Sequence, residues 1–197
     1  TKKEEVLPTG TCLILVTPDS ERTMCTFLGI AGKINQNDIN LKSINESEMI
    51  FLEGYLWDEG DPKKAFDKAI DNSKKVAMSL SDKFCVDRHK ESFLELVKNR
   101  LDITFANESE IMSLINANNF DEVISFGKKI NKLLIVTRGE IGAICIQNEN
   151  VYEINSEKNL KILDLTGAGD LFASGYLHGY INNFSPKDCL KKGTEMS

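Results

Sequence analysis

The run Thr166-Gly167-Ala168-Gly169-Asp170 sets two glycines, one residue apart, directly before a carboxylate. Gly167 and Gly169 permit backbone angles closed to other residues and let a ligand approach the main chain. The stretch Lys161–Leu165 before them reads as a strand. The stretch after them reads as a helix to about Asn182, rich in small residues (Ala173, Ser174, Gly175, Gly179) that suit close packing. Free N–H groups at a helix start point outward and carry positive partial charge. The turn therefore reads as an anion hole at the carboxyl end of a strand, where open α/β sheets place their sites. A carboxylate inside a resting phosphate cradle would repel the phosphate. Asp170 makes sense if the anion is a transferring phosphoryl group, for there it can orient an incoming hydroxyl and accept its proton. The alternative is a tight turn whose Asp170 only complements the helix dipole.

Three other places carry residue types that could do chemistry. Asn107-Glu108-Ser109-Glu110 follows an apolar run, and Asn-x-x-Glu there is a helix capping box, Asn107 as N-cap and Glu110 reaching back. Val136–Ala143 (VTRGEIGA) reads as a hairpin turn bent at Gly139 and Gly142, with Arg138 adding a cation. Glu53 ends the strand-like MIFLE, where an isolated carboxylate is usually solvated. His89 and His178 are the two histidines, and neither has metal-ligand spacing. A Walker A loop is excluded, because GIAGKI (Gly29–Ile34) is too short and has no Ser or Thr after Lys33. A dinucleotide fingerprint is excluded because Phe172 stands at the third glycine position.

These residues need a frame. Cys12–Val16 and Met24–Gly29 flank a Pro-Asp turn and predict a hairpin. Met49–Trp57 reads as a strand that breaks at Gly54. Further strands are expected at KVAMSLS, LDITFA, KLLIVT, GAICIQ and, as an edge, VYEIN. Helices are expected over Asp61–Ser73, Asp87–Asn99, the NESEIMSLIN segment, Asp121–Asn131 and the final SPKDCLKKGTEMS. Strands alternating with amphipathic helices predict an α/β fold, with a mainly parallel sheet covered on both faces.

With 41% hydrophobic and 27% charged residues, the composition is that of a globular domain. The net charge of −6 disfavours nucleic acid and anionic membranes as partners. Five widely spaced cysteines without a CxxC point to reduced thiols and a cytoplasmic location. No apolar run approaches the ~20 residues of a membrane helix.

The segment DLTGAGDLFASG resembles the C-terminal signature of the ribokinase-like (PfkB) family of sugar and nucleoside kinases, matching at Asp164, Thr166, Gly167, Ala168, Gly169, Asp170, Phe172 and Gly175. The resemblance implies a three-layer α/β/α fold and ATP-dependent phosphorylation of a hydroxymethyl group. Asp170 would be the catalytic base and Gly167, Ala168 and Gly169 the anion hole. Asn107 and Glu110 would match an N-x-x-E motif beside phosphate, with Glu110 holding magnesium through water. Thr137 and Gly139 would contact nucleotide phosphates. Asp164 would lie near a monovalent-cation site, potassium in members that use one, and Glu53 would contact substrate hydroxyls. The words EGYLWD and SLSDKFCVDRHKESF are most similar to bacterial adenosine-kinase-like members, and Asp82 departs from the D-x-N form of sugar kinases. A small nucleoside or sugar is the expected partner, with a homodimer left open. Residues 1–197 are expected to form part of one kinase domain, lacking an early substrate segment, most of the lid and a later adenine-side segment. The rival readings are a sugar or sugar-phosphate kinase and a non-catalytic nucleotide-binding fragment.

Overall fold

The computed structural model describes residues 7–18, 22–158, 162 and 164–197. The chain divides into two compact units. One comprises Thr1–Ile50, Tyr55–Lys75 and Lys161–Thr166; the other comprises Phe51–Gly54, Val76–Leu160 and Gly167–Ser197.

In the first unit, β1 (Thr11–Val16) and β2 (Arg22–Phe27) form the expected antiparallel hairpin, with Cys12 opposite Thr26 and Leu13 opposite Cys25. Asp19 of its expected turn lies outside the described residues. Every residue of both strands is exposed. Two 3₁₀ turns and a short helix α1 (Leu41–Glu46), capped by the Asn40 side chain, follow. α2 (Asp61–Asp71) starts with Pro62 in its first turn and buries Ala65, Phe66, Ala69 and Ile70, the i, i+1, i+4, i+5 face of an amphipathic helix. Lys68 Nζ donates to the Gln36 carbonyl at 2.7 Å, tying α2 to the 3₁₀ turn Gln36–Asp38.

The second unit is built on a sheet in the order β3-β4-β5-β6-β7-β8, comprising Ile50–Glu53, Val76–Ser79, Ile103–Asn107, Leu133–Thr137, Ala143–Gln147 and Asn150–Ile154. β4, β5 and β6 run parallel, and β7 and β8 fold back antiparallel as an edge hairpin. Leu133–Val136 and Ile103–Ala106 are buried without interruption, as strands covered on both faces must be. The remaining helices are α3 (Lys83–Arg88), α4 (Lys90–Glu95), α5 (Glu108–Ile115), α6 (Phe120–Lys129), α7 (Ala168–Ile181) and α8 (Pro186–Met196).

The layering follows from one pair of neighbours. Cys145 and Ile146 are consecutive in β7 and so point to opposite faces. Cys145 Sγ lies 3.2 Å from the Tyr176 hydroxyl of α7. Ile146 meets α6, where a Cβ on Gly127 would stand 2.8 Å from its side chain. Helices therefore cover both faces, and the expected three-layer α/β/α arrangement is present. The small residues of α7 act as anticipated, since a Cβ on Gly175 would stand 2.5 Å from the Lys192 carbonyl of α8.

Two expectations need adjustment. The helix expected over Asp87–Asn99 starts earlier, at Lys83, because the Asp82 side chain caps it. It breaks at His89 and ends in a π turn, Leu96–Arg100. The strand expected over Lys161–Leu165 falls partly outside the described residues, and Ile162, Asp164 and Leu165 lie in no strand. Among the described residues no helix is long and apolar enough to cross a membrane.

Candidate active site

Asn107 ends β5 and caps α5. Its Oδ1 accepts from Glu110 N at 2.9 Å and from Ser109 Oγ at 2.7 Å. In return Glu110 Oε2 accepts from Asn107 N at 2.9 Å and Oε1 from Asn107 Nδ2 at 2.6 Å. The capping box read from the sequence is thus complete. Glu110 is only 5% exposed. Burial pushes its carboxyl up from 4.5 to about 7; the Asn107 backbone bond opposes this, and the negative charges of Asp82 and Glu53 add to it.

Glu53 ends β3 and accepts a hydrogen bond from Ser81 Oγ at 3.0 Å. Ser81 sits just past β4 at φ +70°, a left-handed conformation uncommon for serine. Its hydroxyl also reaches the Ser79 carbonyl. Burial raises the Glu53 carboxyl above its usual range, the Ser81 bond opposes that, and the charge of Asp170 adds to it. The fold therefore brings Glu110 within electrostatic reach of Asp82 and Glu53, and Glu53 within reach of Asp170. That crowding of like charge favours a cation among them.

Thr137 ends β6, paired with Asn107 on β5 and Ala143 on β7. The turn that follows is closed by Arg138 N donating to the Gly142 carbonyl at 2.8 Å. Gly142 is obligatory: its φ is +119°, and a Cβ would stand 2.0 Å from the Ile154 carbonyl. Gly139, by contrast, has nothing within 4 Å of such a Cβ. Arg138 is not a free surface cation. Its Nε bonds Glu108 Oε2 at 2.7 Å and its guanidinium lies 3.7 Å from the centre of the Phe120 ring.

Gly167 caps α7 in the left-handed region, φ +80° and ψ 3°, with no side-chain cap. A Cβ at Gly167 or Gly169 would meet nothing within 4 Å. Ala168 opens the helix and Asp170 stands in its first turn, exposed. No side chain caps the N–H groups at this helix start. Asp164 belongs to the other compact unit. It accepts from Thr166 N at 2.8 Å, and the Thr166 bonds with the nearby Arg22 charge hold its carboxyl below the usual range.

Among the described residues no three His, Cys, Asp or Glu side chains form a metal cage. The donor set fits a magnesium ion that keeps most of its water, with Glu110 as a carboxylate beside it. The histidines stand apart from this chemistry: His178 is exposed against the Phe184 ring, and His89 is buried near Phe93. The residue that sequence reasoning passed over is Ser81, whose only signal is its conformation.

The profile of the pfkB family carbohydrate kinases matches residues 1–197. Adenosine kinase of Dictyostelium discoideum is 30% identical over 205 residues, covering 94% of this chain and 60% of that protein. The crystal structure of adenosine kinase from Sinorhizobium meliloti superposes with a TM-score of 0.91 at 34% identity, over 96% of this chain and 59% of the other. The probable sugar kinase from Rhizobium etli CFN 42 gives 0.92 at 36% identity, over 100% of this chain and 61% of the other. The chain thus spans about three fifths of the length of these relatives.

Proposed function

This chain belongs to the pfkB family of carbohydrate kinases, and on that premise we propose that the whole protein transfers the γ-phosphoryl group of ATP to a hydroxymethyl group of a nucleoside, adenosine by preference. On this reading residues 1–197 form part of one ribokinase-like domain. The observation that carries it is Asp170, exposed in the first turn of α7 directly behind the open Gly167–Gly169 turn.

Asp170 orients the substrate hydroxyl and takes its proton. The hydroxyl oxygen bonds to the γ-phosphorus, the bond from that phosphorus to the β,γ-bridging oxygen breaks, and ADP leaves. The backbone N–H groups of Gly167, Ala168 and Gly169 hold the charge that develops on the transferring group. Asn107, Thr137 and Gly139, at the ends of β5 and β6, orient the nucleotide phosphates. Glu110 holds hydrated magnesium, which when bound neutralises phosphate charge. Glu53 accepts from substrate hydroxyls, and Asp164 is the residue for a monovalent cation such as potassium.

Two relatives described as adenosine kinases support the substrate choice. A purine offers apolar and stacking surface that a bare sugar lacks, and that remote binding energy can align the hydroxyl with Asp170. The relative described as a probable sugar kinase supplies the rival. The test compares kcat/KM of the complete protein for adenosine, ribose and fructose at saturating ATP and magnesium. Adenosine is expected to lead. A sugar turned over faster would overturn the nucleoside choice, and no substrate-dependent ADP release would overturn the kinase reading.

A further inference from the structure

We infer that Arg138 is a positioning residue: by clamping Glu108 and the Phe120 ring, it fixes the β6–β7 turn against the head of α5, so that nucleotide phosphates meet one preformed surface. The inference rests on the nucleotide reading of that turn.

Three observations converge on it. Arg138 follows Thr137, which pairs with Asn107 across β6 and β5. Its guanidinium then crosses the same junction a second time, to Glu108 at 2.7 Å, while stacking on Phe120 at the start of α6. Its own N–H and carbonyl close the turn, through Gly142 O at 2.8 Å and Ile141 N at 3.1 Å. The residue therefore joins three elements, and its side chain is only 19% exposed. An arginine committed this way is not extended toward a phosphate. It acts through what it holds: Glu108 is the first residue of α5, one place after Asn107, and Gly139 is one place after Arg138. A planar, stackable cation is needed, which lysine does not replace.

The test measures binding of a non-hydrolysable ATP analogue with magnesium to the complete protein by calorimetry. Outer partners that orient metal ligands typically cost 10–100-fold when removed, and the clamp is expected at the low end of that scale. Arg138→Met keeps an apolar stem over Phe120, and its Kd is expected to rise about tenfold, more than kcat at saturating nucleotide falls. Glu108→Gln is expected to weaken binding similarly, and the double variant no further, because the two act as one clamp. Arg138→Lys is expected to stay near the Met variant. If Arg138 contacts phosphate itself, Glu108→Gln frees it and tightens binding, which overturns the inference. Lowered thermal stability with unchanged Kd also overturns it. Should Arg138→Met fail to fold, Glu108→Gln decides alone, by weaker binding or not. A parent protein that binds no nucleotide overturns the functional reading and the inference with it, whereas unchanged variants of a nucleotide-binding parent overturn the inference alone.

Discussion

The head of α5 and the head of α7 belong to the same unit and are finished in opposite ways. At α5, Asn107 and Glu110 engage each other through three hydrogen bonds, Ser109 Oγ donates a further one to Asn107, and Glu110 is buried. At α7, the cap is a glycine with no side-chain bond, and Asp170 is exposed. The first end is complete by itself and can hold geometry without a ligand. The second leaves its N–H groups open, which is tolerable on an exposed helix end and useful where charge must be met. The proposed phosphoryl transfer would call on both, a rigid bed for the nucleotide and an unfilled place for the reacting group.

Breaking the open end should have the largest effect. In the complete protein Asp170→Asn is expected to lower kcat by ~10²–10⁴ while leaving the fold and nucleotide binding in place. Normal turnover by a folded Asn variant would reduce Asp170 to a helix-dipole residue. The same Gly→Ala change then sharpens the contrast at two sites. Gly142→Ala forces φ +119° on an L residue and a 2.0 Å contact, so urea titration should show a loss of about 4 kcal/mol. Gly169→Ala meets no atom and sits in a helix, so stability should stay within about 1 kcal/mol. Turnover should nonetheless fall about tenfold or more, since the methyl intrudes on the anion's place. Full turnover in that variant would move the anion elsewhere.

The effect at Glu110 depends on pH. Its carboxyl titrates at about 7 in the fold against an ordinary 4.5, so the folded protein prefers the neutral acid. The stability this gives is full below about pH 4.5 and is lost as pH rises through about 7, a span worth about 3 kcal/mol. Glu110→Gln keeps most of the capping ability, one amide oxygen replacing two carboxylate acceptors, should flatten this dependence in melts between pH 5 and 8, and should raise the magnesium needed for turnover. A parent as flat as the Gln variant would show an ordinary carboxyl. An unchanged magnesium titration would leave capping as Glu110's whole role.

Much of this was legible from residue types. Paired strands, the Asn107–Glu110 cap and the glycine turn before Asp170 announce themselves locally, because glycine, asparagine and alternating apolar residues each act on their own backbone. What was not legible depends on partners far along the chain. Ser81 reaches Glu53 across 28 residues, and Arg138 reaches Glu108 across 30. Helix α1 buries nothing, so no apolar stripe marks it. The start of α3 was hidden because Phe84, its most apolar residue, is 80% exposed and breaks the expected periodicity.

The β1–β2 ribbon has one consequence for pairing fidelity. A strand's register is ordinarily enforced by burial, since a one-residue slip carries its apolar set to the wrong side. Here there is no wrong side. Leu13, Ile14, Leu15 and Val16 alternate in direction, yet all are exposed. Cys12 opposite Thr26 is therefore held by ladder hydrogen bonds and the 3.1 Å Cys12–Thr26 side-chain contact rather than by packing. Burial, which pins register in the central sheet, thus adds nothing to it in this ribbon.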